Sequence, residues 1–274
     1  SGVYLTVEPN YVRSIQADPT DDTLFDSQWG LKAINAQKAW EHLQGQVISG
    51  VPVTVAVVDT GVDVKIKHPE LAHPDLDDIV IRGGANFVGA VQEGVPVSND
   101  TDDDNGHGTY VAGIIAAETR NGTGVAGTVG TYSESLVGIL PVKVLDANGY
   151  GSSWQVAQGI RWAVDQGARV INLSFGGYGY STAEAEAVSY ALRNGAVVVA
   201  AAGNSGASVD AFYPAAFPGV IAVGAVDEDG ARADFSNYGN ALDLMAPGVN
   251  ILSTVPADAV ADDCQEPACY RLDD

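Results

Sequence analysis

An aspartate at the end of an apolar run is the first residue whose type and setting could do chemistry. Asp59 lies in the sequence Val-Val-Asp-Thr-Gly (57–61), which predicts a carboxylate at the carboxyl end of a buried strand, just before a turn. Aspartic proteases use such D-T-G sequences, but they need two carboxylates that share a proton, and the chain has no second D-T-G or D-S-G. An aspartate that caps the next turn is the simpler alternative. Asp59 by itself therefore predicts no function.

A histidine between two glycines is the second candidate. His107 lies in Asn-Gly-His-Gly-Thr (105–109), at the predicted start of a helix, where small neighbours leave one edge of the imidazole accessible. A lone histidine in this setting is usually structural. However, an aspartate at a strand end and a histidine at a helix start can meet at one end of a sheet. The carboxylate would then fix the imidazole tautomer and stabilise the imidazolium, as in a hydrolase triad.

An asparagine in a loop of small residues is the third candidate. Asn204 lies in Ala-Ala-Ala-Gly-Asn-Ser-Gly (200–206), directly after a predicted strand. A side-chain amide in that position can donate a hydrogen bond to a developing oxyanion. If it stood alone, a residue in a left-handed turn would be the better interpretation.

The elements that must position these side chains follow from the alternation of apolar runs with segments of helical period. Strands followed by helices along the chain predict an α/β fold whose parallel sheet is covered on both faces, with function at the carboxyl ends of the strands. The predicted strands are 53–58, 137–145, 169–173, 196–201, 220–226 and 242–245, and the predicted helices are 107–118, 153–166 and 182–193.

Taken together, Asp59, His107 and Asn204 resemble the subtilisin-like serine proteases (the subtilase, or peptidase S8, family) in residue type, order and local sequence. The resemblance extends over about residues 28–254. It implies a subtilisin-like three-layer αβα fold with a mostly parallel central sheet, incomplete at the C-terminus. Further matching segments are 142–145 with 149–151, 159–163, 172–177, 221–225 and 246–248.

The resemblance also implies the catalytic roles. His107 is expected to be the general base, Asp59 the carboxylate that orients it, and Asn204 the oxyanion donor. Tyr110 is a small departure, because the family usually has a histidine after Gly-Thr at this point. That position supports the fold rather than the chemistry, so the assignment of His107 stands.

Substrate contacts are implied in the same way. The substrate main chain is expected between 149–151 and 174–176, by addition of a strand, and the pocket for the side chain before the scissile bond beside 201–203. Asp210 and Phe212 are expected at the far wall of that pocket, where a carboxylate would favour arginine or lysine and a phenyl ring would make the pocket shallow. The implied substrate-binding residues are Gly149, Gly151, Ser174, Phe175, Gly176, Ala201, Ala202 and Gly203.

The nucleophile is the part of the family pattern that this sequence lacks. Subtilases carry it in a Gly-Thr-Ser-Met-Ala segment that opens a central helix, and no Gly-Thr-Ser occurs among the 274 residues. We therefore expect a propeptide tail at 1–17 and a catalytic domain at 18–274 that is truncated before the serine-bearing helix and inactive by itself. The alternative is a catalytically dead pseudoprotease, or a fragment that binds peptide or calcium without cleavage.

A calcium site is implied after the His107 helix, where subtilases build a calcium loop from hard oxygen ligands. The implied ligands are Asp22, either Glu70 or Asp75, the side chain of Asn121, and the carbonyls of Thr119, Thr123 and Val125. A second acidic group, made of Asp100 and residues 102–104, is either another cation site or a solvated loop.

Charge and cysteine content limit the partners and the compartment. Thirteen basic against 35 acidic residues give a net charge of −22, which disfavours nucleic acid and anionic membranes and is most simply explained by solubility. No apolar run reaches the roughly 20 residues of a membrane span.

Cys264 and Cys269 either close a small disulfide loop, which we favour, or are free thiols. We expect a secreted monomer that acts on proteins or peptides, with its own propeptide or a C-terminal fragment carrying the serine as further partners.

Overall fold

The elements are known for the part of the chain that the computed structural model describes, which is residues 20–43, 52–63, 73–76, 80–81, 83–130, 136–256 and 270–273. The helices are α1 (Trp29–Ala33), α2 (Ala36–Leu43), α3 (His107–Ala116), α4 (Ser153–Asp165) and α5 (Thr182–Arg193). The strands are β1 (Val53–Asp59), β2 (Val80–Ile81), β3 (Ala85–Asn86), β4 (Val137–Lys143), β5 (Val170–Leu173), β6 (Gly177–Tyr178), β7 (Val197–Ala201), β8 (Phe212–Tyr213), β9 (Ile221–Val226), β10 (Leu244–Pro247), β11 (Ile251–Thr254) and β12 (Tyr270–Asp273).

One eight-stranded parallel sheet organises these elements. Its order is β10-β9-β7-β5-β1-β4-β2, and β3 also pairs with β4. Two antiparallel pairs, β11-β12 and β6-β8, lie outside it. The mostly parallel central sheet expected from the sequence is therefore confirmed. The carboxyl ends of β1, β4, β5 and β7 are neighbours, so the residues that follow these strands lie along one edge.

Alternate residues of β1 enter two different cores, which gives the molecule three layers. Ala56 and Val58 pack into the core under α4 and α5, together with Ile160. Val55 and Val57 pack into the core under α3, together with Val111 and Ala112. Because both faces of the strand are covered, it reads as an almost continuous apolar run rather than an alternating one.

Near β7 and β9, one face of the sheet is covered by helices and the opposite face is not fully covered. In β7 and β9, Val198, Ala200 and Ala222 are buried on the face that is covered by α4 and α5, whereas Val199 and Val223 on the opposite face are only half-buried. Beyond α3, an apolar trough therefore runs over these strands on the α3 face.

The nine strands and helices predicted from the sequence are present, with shifts only at their ends. The structure adds elements that were not predicted, namely α1, α2, β2, β3, β6, β8, β11 and β12. The last predicted strand, 242–245, begins two residues later as β10. Asp243 precedes this strand and binds Ala222 on β9 instead: its carboxylate accepts from Ala222 N at 2.9 Å, and its own N–H donates to Ala222 O. The predicted propeptide tail at 1–17, Glu70 and the cysteine pair lie outside the described residues. Within the described part, the helices are too short or too polar to cross a bilayer.

Candidate active site

Asp59 and His107 meet where β1 ends and α3 begins. Asp59 is the last residue of β1 and is fully buried, and His107 is the first residue of α3, with a side chain that is 44% exposed. Asp59 Oδ1 lies 2.7 Å from His107 Nδ1 and also accepts from Thr60 N at 2.7 Å. With Nδ1 held by the carboxylate, Nε2 is the ring nitrogen left to exchange a proton with another group.

A glycine allows this close approach. A Cβ on Gly108 would lie 1.9 Å from Gly61 O and 3.2 Å from Asp59 Cβ, so no larger residue fits between the start of α3 and the end of β1. Gly108 is therefore required for the contact between Asp59 and His107. From the sequence we inferred only that small neighbours leave one edge of the imidazole accessible.

Asp103, a residue of the acidic group, fixes the same junction from inside. Asp103 is 4% exposed, and its carboxylate accepts from the hydroxyl groups of Thr60 (2.8 Å) and Thr109 (2.7 Å). It also accepts from the backbone N–H groups of Asn105, Gly106 and Thr109. Asp103 thus ties the turn after Asp59 to the first turn of α3, a position where a helix favours a negative charge.

Two other members of the acidic group, Asp102 and Asp104, lie at the surface. The Asp104 carboxylate lies 2.6 Å from Lys143 Nζ, and Asp102 is exposed. Lys143 also donates to Thr60 O, so it holds the backbone of the turn beside Asp59. Asp103 is buried and has protein partners, which a solvated loop does not explain, whereas Asp102 and Asp104 are exposed as such a loop would be.

Asn204 follows β7 in a loop that is held by a buried amide far away in sequence. Asn237 is fully buried; its Nδ2 donates to Ala202 O at 2.8 Å and its Oδ1 accepts from Ser205 N (3.1 Å) and Ala207 N (3.0 Å). Asn237 was not identified from the sequence. A buried asparagine that spans both sides of a turn leaves no local pattern by which to find it.

A cleft of about 450 Å³ brings two of the three catalytic candidates together. His107 and Asn204 line it, and so do Ser174, Ala201, Ala202 and Gly203 of the predicted substrate-binding set. Its floor is the apolar trough, which includes Val199 and Val223. The arrangement places a candidate base and a candidate oxyanion donor on the walls of one open cleft.

The other predicted substrate-binding residues lie around a second cleft of about 500 Å³. Gly149 and Gly151 border it from the loop after β4, and Phe175 and Gly176 border it from the segment after β5. Phe212 lies under this region, since a Cβ on Gly176 would come within 2.3 Å of its ring. Asp210 does not line either cleft; it is exposed, and its Oδ1 accepts from Ala241 N at 3.0 Å.

Comparison with known proteins agrees with this geometry. A family model described as the subtilase family matches residues 50–267, well over half of the chain. The chain belongs to the subtilase family.

Individual relatives of this subtilase are bacterial proteases. The thermophilic serine proteinase of Bacillus sp. (strain AK1) is 44% identical over 256 residues, which cover 93% of this chain and 57% of the relative. M-protease of Shouchella clausii (strain KSM-K16) is 40% identical over 269 residues, covering 94% and 63%. A cold adapted subtilisin-like serine proteinase of known structure matches with a TM-score of 0.59 at 31% identity, over 83% of this chain and 71% of that one. The chain thus spans only about 57–63% of the length of the first two relatives.

The predicted calcium ligands of this subtilase gather beside the loop after α3. Asp22 Oδ1 accepts from the N–H groups of Arg120 (2.9 Å) and Asn121 (3.2 Å). Asp75 accepts from Asn121 Nδ2 and from Val125 N, both at 2.9 Å. Burial, and then the charges of Asp22 and Glu118, raise the pKa of Asp75 to about 7.

Two further predicted ligands belong to the same loop. Thr119 and Thr123 flank Asn121, whose Oδ1 accepts from Thr123 N at 2.9 Å. In the described part of the chain, no three Asp, Glu, His or Cys side chains form a metal centre. A cation here would therefore depend on two carboxylates, one amide and backbone carbonyls. This donor set and its repelling buried carboxylates fit calcium.

Proposed function

We propose that this chain forms most of the catalytic domain of a secreted, subtilisin-like serine endopeptidase that hydrolyses peptide bonds through an Asp-His-Ser triad. The observation that carries the proposal is the 2.7 Å contact between Asp59 Oδ1 and His107 Nδ1 beside a cleft that Asn204 also lines. Membership of a family whose bacterial relatives here are named as proteases supports the activity.

The geometry gives each residue a role in that reaction. The serine hydroxyl attacks the carbonyl carbon of the scissile bond while His107 Nε2 takes its proton and later returns it to the leaving amine. Asp59 keeps the Nδ1 proton in place and stabilises the imidazolium. The Asn204 amide donates to the oxygen that becomes negative in the tetrahedral intermediate.

The serine itself is proposed to come from a segment outside these 274 residues, since the sequence contains no Gly-Thr-Ser. The apolar trough supports this, because Val199 and Val223 lie half-buried next to His107 and would be covered by a packed helix. A helix that begins at this cleft would bring its first turn close to the imidazole. We propose the 1–17 segment as the remaining tail of a propeptide.

Reaction with a fluorophosphonate, which labels activated serines, tests the proposal. Material from the natural source should gain the adduct on a Gly-Thr-Ser peptide, whereas the 274-residue chain should not be labelled, as read by denaturing mass spectrometry. In the complete gene product, His107→Ala should abolish labelling and His42→Ala, in the exposed part of α2, should not. An adduct on a serine within the 274 residues would keep the protease but overturn the external nucleophile.

A second candidate is peptide binding without cleavage, favoured by the absence of Gly-Thr-Ser from the sequence. It predicts no labelling of any material from the natural source, together with saturable binding of peptides to the cleft. Labelling of the natural material would exclude this candidate.

Calcium is proposed as a structural ion at Asp22, Asp75 and the 119–125 loop. When bound, it would neutralise the buried carboxylates and hold the loop after α3 against the N-terminal segment. The role is structural because Asp75 and Asn121 do not line the cleft beside His107.

A further inference from the structure

A buried carboxylate without a protein partner lines the second cleft. Glu184 of α5 is 9% exposed and borders the cleft of about 500 Å³. Within the described part of the chain, its carboxylate makes no hydrogen bond or ion pair, and burial raises its pKa to about 7. Burying a carboxyl group without a partner costs free energy, so its position requires a reason other than packing.

Capping of α5 does not supply that reason. Ser181 and Glu184 have the spacing of a capping box, in which serine and glutamate each bond to the other's backbone. In α4 the equivalent pair is reciprocal: Ser152 Oγ accepts from Gln155 N and Gln155 Oε1 accepts from Ser152 N. In α5 only Ser181 Oγ accepts, from Glu184 N at 3.3 Å, and the Glu184 side chain does not return the bond.

The walls around Glu184 are aromatic. Tyr180 and Tyr213 stack edge to face with ring centroids 5.4 Å apart, and Tyr180 makes a similar contact with Phe217 at 5.7 Å. Among the described residues, no lysine or arginine lines the cleft. Aromatic faces around one carboxylate are a setting in which an organic cation binds by ion pairing and cation–π attraction. The aromatic residues that line it are Tyr150, Phe175, Tyr178, Tyr180 and Tyr213.

The cleft also borders the segments between which the substrate is expected. Gly149 and Gly151 form one rim, and Phe175 and Gly176 form the other. A peptide that lies between them as an added strand would place one side chain over this cleft, since alternate side chains point to opposite faces.

We propose that this cleft binds the side chain of a lysine or arginine in the substrate peptide, with Glu184 as its ion partner. The inference rests on the proposed function in one respect, namely that a peptide lies along 149–151 and 174–176. Its test measures binding rather than cleavage, so the two can fail separately.

The probes are two matched sets of short alanine-based peptides, with either lysine or its neutral isostere norleucine at each position in turn. Anisotropy of the labelled peptides gives the Kd for the 274-residue chain in 0.15 M salt. At one position the lysine peptide should bind about tenfold or more tightly than the norleucine peptide, as expected for a charge-assisted bond. Glu184→Gln, which keeps the shape of the side chain, should remove this ratio.

Glu186→Gln is the matched control. It makes the same change of charge as Glu184→Gln, two positions later on α5. Glu186, however, is exposed and pairs with Arg161 of α4 at 3.5 Å. It should change the ratio by less than about twofold, as for other surface pairs. An equal loss of the ratio in both variants would mean that the net charge of the chain attracts the peptide, and would overturn the proposal.

A pH series on the unaltered chain gives the same test without a variant. The lysine-to-norleucine ratio should rise from pH 5.5 to 8.5, because the carboxyl group, whose pKa burial raises to about 7, becomes charged over that interval. In the part of the chain that the structure describes, the other titratable groups that line the cleft are tyrosines, and Arg161 is already paired with Glu186. A ratio that stays the same across this range would overturn the proposal.

The remaining outcomes separate the two proposals. Discrimination by Glu184, together with natural-source material that a fluorophosphonate never labels, would keep this inference and replace the endopeptidase with a peptide-binding protein. Labelled protein that binds both peptide sets equally would keep the endopeptidase and overturn this inference. If neither peptide set binds any variant, peptide binding along these segments is wrong, and so is this inference.

Discussion

At the scale of single residues, the geometry of the candidate catalytic pair depends on Asp103, which takes no part in the chemistry. Its carboxylate joins Thr60, beside Asp59, to Thr109 and the first N–H groups of α3. Since His107 begins that helix, any movement of the junction changes the distance between the imidazole and Asp59. Asp103 is therefore a positioning residue for His107.

Replacing Asp103 by asparagine tests this role. The amide nitrogen of asparagine would face donors that now meet an oxygen, so Asp103→Asn should lower the free energy of unfolding by roughly 2–4 kcal/mol. It should also weaken the bond between His107 Nδ1 and Asp59, seen in NMR as an upfield shift of the Nδ1 proton. Asp102→Asn, at the exposed neighbour, should change neither quantity. A destabilised variant whose Nδ1 proton signal is unchanged would show that Asp103 is structural only.

At the scale of elements, Gly159 determines how closely helix α4 packs against strand β4 and the residues that follow it. A Cβ there would lie 2.5 Å from Val144 Cγ1 and 3.0 Å from Val142 Cγ1. Because the segment after β4 carries Gly149 and Gly151, the packing of α4 against β4 also determines where one rim of the second cleft lies.

Gly159→Ala should therefore destabilise the protein, although alanine normally favours a helix over glycine by about 1 kcal/mol. The added methyl group overpacks the interface, and we expect a net loss of roughly 1–3 kcal/mol in urea-induced unfolding. The second change Val144→Ala makes room for it, so the double variant should lose less than the sum of the two single variants. Additive losses would place the strain elsewhere.

At the scale of the whole molecule, a net charge of −22 makes each buried carboxylate harder to accommodate. The pKa of Asp22 is also raised, mainly by burial and further by the charge of Asp21. Asp22 attaches the N-terminal segment to the loop after α3, and Asp75 attaches the segment 73–76 to the same loop. A cation bound there would therefore join regions that are far apart in the sequence.

Calcium removal should lower the thermal midpoint, and more at pH 8 than at pH 5. In the metal-free protein, the pKa of Asp75 rises from 3.8 to about 7 on folding, so stability is lost as pH rises through that interval. Calcium binds the charged carboxylate and offsets this loss, which makes its stabilisation largest above pH 7. Asp75→Asn should reduce the difference between calcium and chelator in scanning calorimetry, whereas Asp229→Asn, with the same charge change on an exposed turn, should not. A midpoint that chelator leaves unchanged at pH 8 would contradict the site.

The sequence by itself determined the fold class and the candidate catalytic pair. Buried parallel strands are apolar throughout, and the residues after them must lie at one edge of the sheet, so Asp59 and Asn204 could be placed there from the pattern alone. The types, order and local sequences of Asp59, His107 and Asn204, taken together, then identified the family. The cysteine pair, the choice between Glu70 and Asp75 and the tail at 1–17 stay predictions.

The tertiary structure alone decided which polar side chains act together. Asp103 was one of several adjacent acidic residues in the sequence, Asn237 had no pattern at all, and Glu184 was a first-turn residue of an ordinary helix. Asp210, which the family resemblance suggested for the far wall of the pocket beside 201–203, is an exposed residue whose Oδ1 accepts from Ala241 N. The physical reason is that burial and hydrogen-bond partners are properties of the space around a side chain. That space is filled by residues distant in the chain, which neither periodicity nor local motifs can specify.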